Sequence, residues 1–185
     1  MRVGVLALQG AFAEHIAVLE KLGIEAFEIR QPKDISKPFD GLVLPGGEST
    51  VMKKLLRKLN LLEPLKKNIE NGMPVLATCA GMILLAGDIE GGEPPCFGTL
   101  DITVKRNAYG RQLGSFVCTE NFNGALIEMR FIRAPYAVRV GENIEVLAVH
   151  DDKIVAVKQK NQIAVAFHPE LTNDTTVYNL FIDMI

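Results

Sequence analysis

The sequence predicts an α/β fold built on a mostly parallel central sheet, with a β-rich second half. Two observations carry this. Up to Ala86, short apolar runs alternate with stretches of helical spacing, and most are closed by glycine or proline. From Gly98 to Ala166 that rhythm gives way to short β-rich segments, which add strands rather than further strand–helix units.

The elements follow in order. Residues 3–8 form an apolar run closed by Gln9-Gly10 and read as a buried strand. Residues 11–22 place Phe12, Ile16, Leu19 and Leu22 at helical spacing, and Gly23 stops them. A second strand covers 24–29, and a third covers 41–44, where Pro45-Gly46-Gly47 ends it. Ser49 or Thr50 is expected to cap a helix running through Leu59, and residues 61–71 give another, stopped by Gly72. A fourth strand over 75–77 passes at once into a helix over 80–86. Gly91-Gly92-Glu93-Pro94-Pro95 reads as a loop. Strands are then expected at 100–104, 113–119, 127–132, 144–149, 154–158 and 163–167, with Asp151-Asp152 as a hairpin turn. An amphipathic helix covers 174–185. No repeat, low-complexity segment or linker divides the chain, so residues 1–185 read as one domain.

Charge and composition narrow the function. Of the 185 residues 48% are hydrophobic and the net charge is −2, a balance that argues against a nucleic-acid surface. No apolar run approaches the ~20 residues that span a bilayer. The opening segment reads as a strand rather than a signal peptide. Neither a nucleic acid nor a membrane is therefore expected as a partner. Three cysteines, Cys79, Cys96 and Cys118, offer neither a metal spacing nor an even disulfide set. A reducing cytoplasm is the expected compartment, and no metal or other cofactor is expected.

The most informative residue is Cys79, at the junction of an apolar strand and an apolar helix in Ala77-Thr78-Cys79-Ala80-Gly81. The pattern small-x-nucleophile-x-Gly is a nucleophile elbow with Cys in place of Ser, and the N–H of Ala80 would face a developing oxyanion. A buried structural cysteine fits this segment alone equally well. Ligands of open α/β sheets bind at the carboxyl ends of the parallel strands. Gln9-Gly10, Gly46-Gly47 and Cys79 each follow a strand, so they should share one sheet edge. Gly46-Gly47 lacks the ending of a phosphate-binding loop. Beside a nucleophile its N–H groups suit an oxyanion hole. His168-Pro169-Glu170 supplies a base and, two residues on, a carboxylate to orient it. His15 and His150 read instead as surface or capping residues, and Cys96 and Cys118 as unreactive thiols.

An elbow Cys79 with His168-Pro169-Glu170 near the C-terminus resembles the class I (triad) glutamine amidotransferases. These share a flavodoxin-like three-layer fold. Further segments resemble the glutaminase subunits of pyridoxal 5′-phosphate synthases within that class: Leu6-Ala7-Leu8-Gln9-Gly10 with Glu14-His15, Pro45-Gly46-Gly47-Glu48-Ser49-Thr50, Lys105 through Gln112, and Phe131-Ile132-Arg133-Ala134-Pro135. The resemblance covers nearly the whole chain. It implies hydrolysis of L-glutamine to L-glutamate and ammonia, with the ammonia passed to a TIM-barrel synthase subunit that makes pyridoxal 5′-phosphate (vitamin B6). It implies that docking of that partner completes the oxyanion hole.

By the same resemblance, Cys79 is the nucleophile, His168 the base and Glu170 its orienting carboxylate. Gly46, Gly47 and Ala80 belong to the oxyanion site. Glu48, Ser49 and Arg106 hold the substrate's amino-acid end, and Ile132 and Arg133 match a further binding position through backbone contacts. Arg106 suits a substrate carboxylate, since a guanidinium pairs with it in two-pronged fashion. The family's usual elbow glycine two residues before the cysteine is Ala77 here, a methyl the site is expected to accommodate. The competing readings are a glutaminase serving histidine or purine synthesis, a cysteine peptidase or chaperone of related fold, and a catalytically silent regulatory module. Residues 106–112 argue against the first. The second usually takes its histidine soon after the cysteine, and none lies between Cys79 and His150. Intact Cys79, His168 and Glu170 argue against the third.

Overall fold

The strand–helix alternation of the first half is present, with boundaries shifted by a residue or two. The computed structural model describes residues 1–106 and 114–185. The order is β1 (Arg2–Leu6), α1 (Phe12–Lys21), β2 (Glu25–Ile29), β3 (Gly41–Leu44), α2 (Ser49–Lys58), α3 (Leu62–Glu70), β4 (Val75–Thr78) and α4 (Ala80–Leu85). The second half follows as β5 (Ala86–Ile89), β6 (Leu100–Lys105), β7 (Ser115–Phe122), β8 (Ala125–Ile132), β9 (Tyr136–Val140), β10 (Glu145–His150), β11 (Lys153–Gln159), β12 (Gln162–Val165) and α5 (Thr176–Ile182).

Among the described residues a ten-stranded sheet runs β2-β1-β3-β4-β12-β11-β9-β6-β5, with β10 paired to β11. The run β2-β1-β3-β4-β12 is parallel throughout. Its central members are apolar on both faces, as a doubly covered parallel sheet requires: β3, β4 and β12 are buried at every residue. Beyond β12 the pairing turns antiparallel through β11, β9 and β6. β7 and β8 form a separate antiparallel hairpin. Asp151 and Asp152 both take positive φ, 47° and 59°, in the tight turn joining β10 to β11, as expected.

Four sequence expectations need correction. Residues 86–89 and 136–140 are strands that the sequence pattern does not announce. The first follows α4 without a break and carries Gly87 and Asp88, so it lacks strand composition; Gly87 lets it lie close over the Leu100 and Ile102 carbonyls of β6. In the second, burial does not follow a period of two. The cap of α2 is Glu48, whose Oε1 accepts from Thr50 N–H at 3.3 Å, so Ser49 is already the first helical residue. His15 is not a surface residue: it has 0% exposure. The start of the strand expected at 113–119, and residues 107–112 of the specific segment, lie outside the described residues.

Parallel pairing makes this fold position a site. β1, β3, β4 and β12 are neighbours running the same way, so the segments after Leu6, Leu44, Thr78 and Val165 emerge along one sheet edge. α4 leaves that edge across β3. Its Gly81 lies so close to Leu44 that an added Cβ would run into the Leu44 carbonyl oxygen.

Candidate active site

Cys79 stands between β4 and α4 with φ 48° and ψ −102°. Only a firmly held main chain keeps a non-glycine residue there, at a cost of about 1–3 kcal/mol. Cys79 N–H donates to the Val165 carbonyl of β12 at 2.8 Å, and the Cys79 carbonyl accepts from Met82 N–H at 3.1 Å. The bend holds Sγ 3.8 Å from the Ile132 carbonyl oxygen. Ala77, at the departure from the family pattern, is fully buried and pairs with Leu44 and Ala164 on the flanking strands.

His168 follows β12. Its N–H donates to the Arg130 carbonyl of β8 at 2.8 Å. Pro169 opens a single 3-10 turn, which folds Glu170 back so that Oε1 lies 2.6 Å from His168 Nδ1. Cys79 also favours the charged ring. Burial opposes charge on His168, but the influence of Cys79 and Glu170 outweighs it and pushes the imidazole up to about 10. Burial also opposes charge on Glu170, and there His15 and His168 prevail, keeping the carboxyl below its ordinary value.

Gly46 and Gly47 shape the opposite wall. A Cβ on Gly46 would overlap His168 Cε1 and lie 3.4 Å from Cys79 Cβ, so the imidazole occupies the space a side chain would need. The Gly46 carbonyl accepts from Ala11 N–H at 3.1 Å, and Gln9 Oε1 accepts from Glu48 N–H at 2.5 Å. These bonds tie the glycine turn to the segment after β1. With no cis peptide present, Gly47 N–H points away from the side on which Ala11 holds the Gly46 carbonyl.

A cavity of about 290 Å³ opens on this edge. Gly46, Gly47, Glu48, Ser49, Cys79, Ala80, Arg106, Ile132, Arg133 and His168 all line it, while Glu170 lies buried behind His168. Ile83 of α4 also lines it, and nothing in its apolar helix marks it out beforehand. Arg106 is already engaged. Its Nη1 donates to Glu93 at 2.6 Å, and its Nη2 to Glu48 at 3.3 Å and Thr50 Oγ1 at 3.2 Å. Lys53 backs Glu93 at 3.7 Å and donates to the Pro94 carbonyl. Glu93 is legible in the sequence only as part of a loop; its charge between two glycines and two prolines is the signal for it.

The remaining titratable candidates separate clearly. Burial pushes both Cys96 and Cys118 up to about 11, as expected of unreactive thiols. His150 is half-buried, stacked near Phe116 and Phe131, with Nδ1 2.9 Å from Glu120. Sequence spacing offers no metal set, yet the fold brings ligand atoms of Cys118, Glu120 and His150 within 4.8 Å of one another. His15 meets Thr78 Oγ1 at 3.1 Å and the Tyr178 hydroxyl at 2.7 Å.

An open parallel sheet with a strained cysteine and a carboxylate-backed imidazole at its carboxyl edge is the architecture of the class I glutamine amidotransferases. The chain belongs to the SNO glutamine amidotransferase family, which it matches over residues 5–185. It is 59% identical to the pyridoxal 5′-phosphate synthase subunit PdxT of Methanocorpusculum labreanum, over all of this chain and 98% of that one. It is 52% identical to the PdxT protein of Haemophilus influenzae, again over all of this chain and 98% of the relative. Among solved structures, a glutamine amidotransferase superposes with a TM-score of 0.93 at 43% identity, covering 98% of this chain and 97% of that one. A glutamine amidotransferase of Thermotoga maritima, at 14% identity and a TM-score of 0.66 over 99% of this chain and 81% of that one, shares the fold.

Proposed function

We propose that this chain is the glutaminase component of a pyridoxal 5′-phosphate synthase: it hydrolyses L-glutamine to L-glutamate and ammonia and delivers the ammonia to the synthase component. The chemistry rests on one observation, the buried His168–Glu170 pair at 2.6 Å, with His168 and Cys79 lining one cavity. The pathway rests on the PdxT relatives.

Cys79 passes its proton to His168, and the thiolate attacks the side-chain carbonyl carbon of glutamine. Negative charge collects on the former carbonyl oxygen, where N–H groups of Gly47 and Ala80 receive it; one such donor contributes about 3 kcal/mol in acyl transfer. His168 protonates the departing nitrogen, which leaves as ammonia with formation of a Cys79 thioester. Water, deprotonated by His168, then adds to the thioester and releases glutamate and the thiol. Arg106 takes the substrate carboxylate, with Glu48, Ser49 and the Ile132–Arg133 main chain around the amino-acid end. The Gly46 turn, bonded to Ala11 and Gln9, is the part that answers to the partner, a TIM-barrel synthase that docks on this edge. The chain works in a reducing cytoplasm, with its three cysteines free.

Glutamine hydrolysis is measured with the chain alone, then mixed with the synthase subunit of a pyridoxal 5′-phosphate synthase, with Cys79→Ala as control. Ammonia release that rises on mixing and disappears in Cys79→Ala is expected. Full activity without response to that partner would move the chain to another amidotransferase pathway. Turnover retained in Cys79→Ala would remove the thioester.

A further inference from the structure

We propose that His15 is a positioning residue of the triad: its Nε2–H steadies the outer oxygen of Glu170, and Tyr178 fixes the tautomer that makes this possible. The proposal deepens the glutaminase reading and rests on it.

Glu170 has two oxygens in different circumstances. Oε1 is bound by His168, whereas Oε2 is fully buried without a hydrogen bond among the described residues. A carboxylate oxygen left bare in a dry interior is costly. His15 Nε2 lies 3.5 Å from it, on side chains that are both 0% exposed. That is long for a hydrogen bond and short for an electrostatic contact. Catalytic hydrogen bonds of unliganded sites commonly tighten only when substrate is bound.

The tautomer follows from the rest of the cluster. Tyr178 is fully buried, and its hydroxyl lies 2.7 Å from His15 Nδ1. A buried phenol O–H seeks an acceptor. If it donates to Nδ1, the proton of a neutral ring sits on Nε2, facing Thr78 Oγ1 at 3.1 Å and the carboxylate behind it. The opposite tautomer would aim a lone pair at Glu170. The charged groups around His15 pull both ways: Glu170 and Glu14 favour its cation, while His168 disfavours it. Burial outweighs them and lowers its pKa, so the ring acts through its N–H dipole rather than a charge. Thr78, the residue before the nucleophile, ties the same ring to β4. One buried imidazole on α1 therefore links the carboxylate of the triad, the elbow strand and α5.

The test uses the full chain, 15N-labelled at its three histidines, and its complex with the synthase partner. In wild type, NMR is expected to show His15 neutral with the proton on Nε2; a proton on Nδ1 would overturn the proposal. His15→Phe is expected to lower kcat about tenfold to a hundredfold, the range known for losing a group that orients a metal-binding side chain from behind. KM should stay within twofold, and the His168 titration should fall below that of the wild type. His15→Gln, which keeps a donor, should recover part of kcat, and Tyr178→Phe should lose severalfold. A folded His15→Phe with kcat within twofold and an unmoved His168 titration would sink the proposal. Should His15→Phe not fold, Tyr178→Phe and the wild-type tautomer decide. A wild-type chain that never hydrolyses glutamine would instead refute the glutaminase reading, with the NMR arm still deciding the role of His15.

Discussion

Strain at Cys79 and the missing side chain at Gly46 solve one problem between them. The thiol must project from the main chain, and the imidazole must reach it from a different strand. The bend at Cys79 does the first, and the empty place at Gly46 makes room for the second. Gly46→Ala is therefore expected to displace His168 and lower kcat about a hundredfold, the cost of misplacing a reacting group by about an ångström. Cys79 alkylation and circular dichroism would show whether thiol and fold survive; unchanged kcat would mean that the ring has another place to go. Arg106 presents a different case. Its guanidinium is held by Glu93 and Glu48, so on the proposed reading a substrate carboxylate would meet a cation already fixed in position. Arg106→Ala should raise KM for glutamine about 10–100-fold, from the loss of a charge-assisted bond of about 1.5–3 kcal/mol, with little change in kcat. A KM that stays put would take Arg106 out of the site.

The elements keep these residues in place through close approaches. α4 crosses β3 at Gly81, against backbone that cannot rotate aside as a side chain can. Gly81→Ala should cost about 1–3 kcal/mol by overpacking, read as a lower denaturation midpoint, with activity falling as Cys79 moves with the helix. An unchanged midpoint would show that α4 slides freely. Gly81 is legible from its spacing to Cys79, as are the parallel strands, because buried strands are continuous apolar runs bounded by turn residues. β5 and β9 are harder to read: one contains a glycine directly after a helix, and the other buries Ala137 while leaving Val138 exposed, against the apolar face its sequence suggests. His15 misleads for another reason. It lies three residues after Phe12 and four before Leu19, on the apolar stripe of α1, and that spacing is its signal. Its partners Thr78 and Tyr178 stand 63 and 163 residues away, a distance no local pattern spans. The His168–Glu170 pair is legible because a proline turn joins residues only two apart.

Across the whole molecule, four parallel strands deliver the site to one edge, and the charges assembled there tie folding to pH. Cys79 and Glu170 push the His168 imidazole up from 6.5 to about 10 in the fold, against the effect of burial. A raised value means that its contribution to stability is complete below about 6.5 and is lost as pH climbs toward about 10. Two neighbours act in the other direction. His15 is held neutral, with its value lowered from 6.5, and Glu170 is lowered from 4.5, so both withdraw stability as the pH falls below those values. The melting temperature should therefore peak near weakly acidic to neutral pH. Between pH 6.5 and 10 the wild type should lose stability faster than His168→Gln, in which no imidazolium can be lost. Comparing the two curves cancels the other groups that titrate near 10, since both proteins carry them. Parallel curves over that window would mean that the Glu170–His168 ion pair adds nothing to the fold. Converging curves would mean that the pair which readies Cys79 also helps to hold β12 and the turn after it against the rest of the sheet.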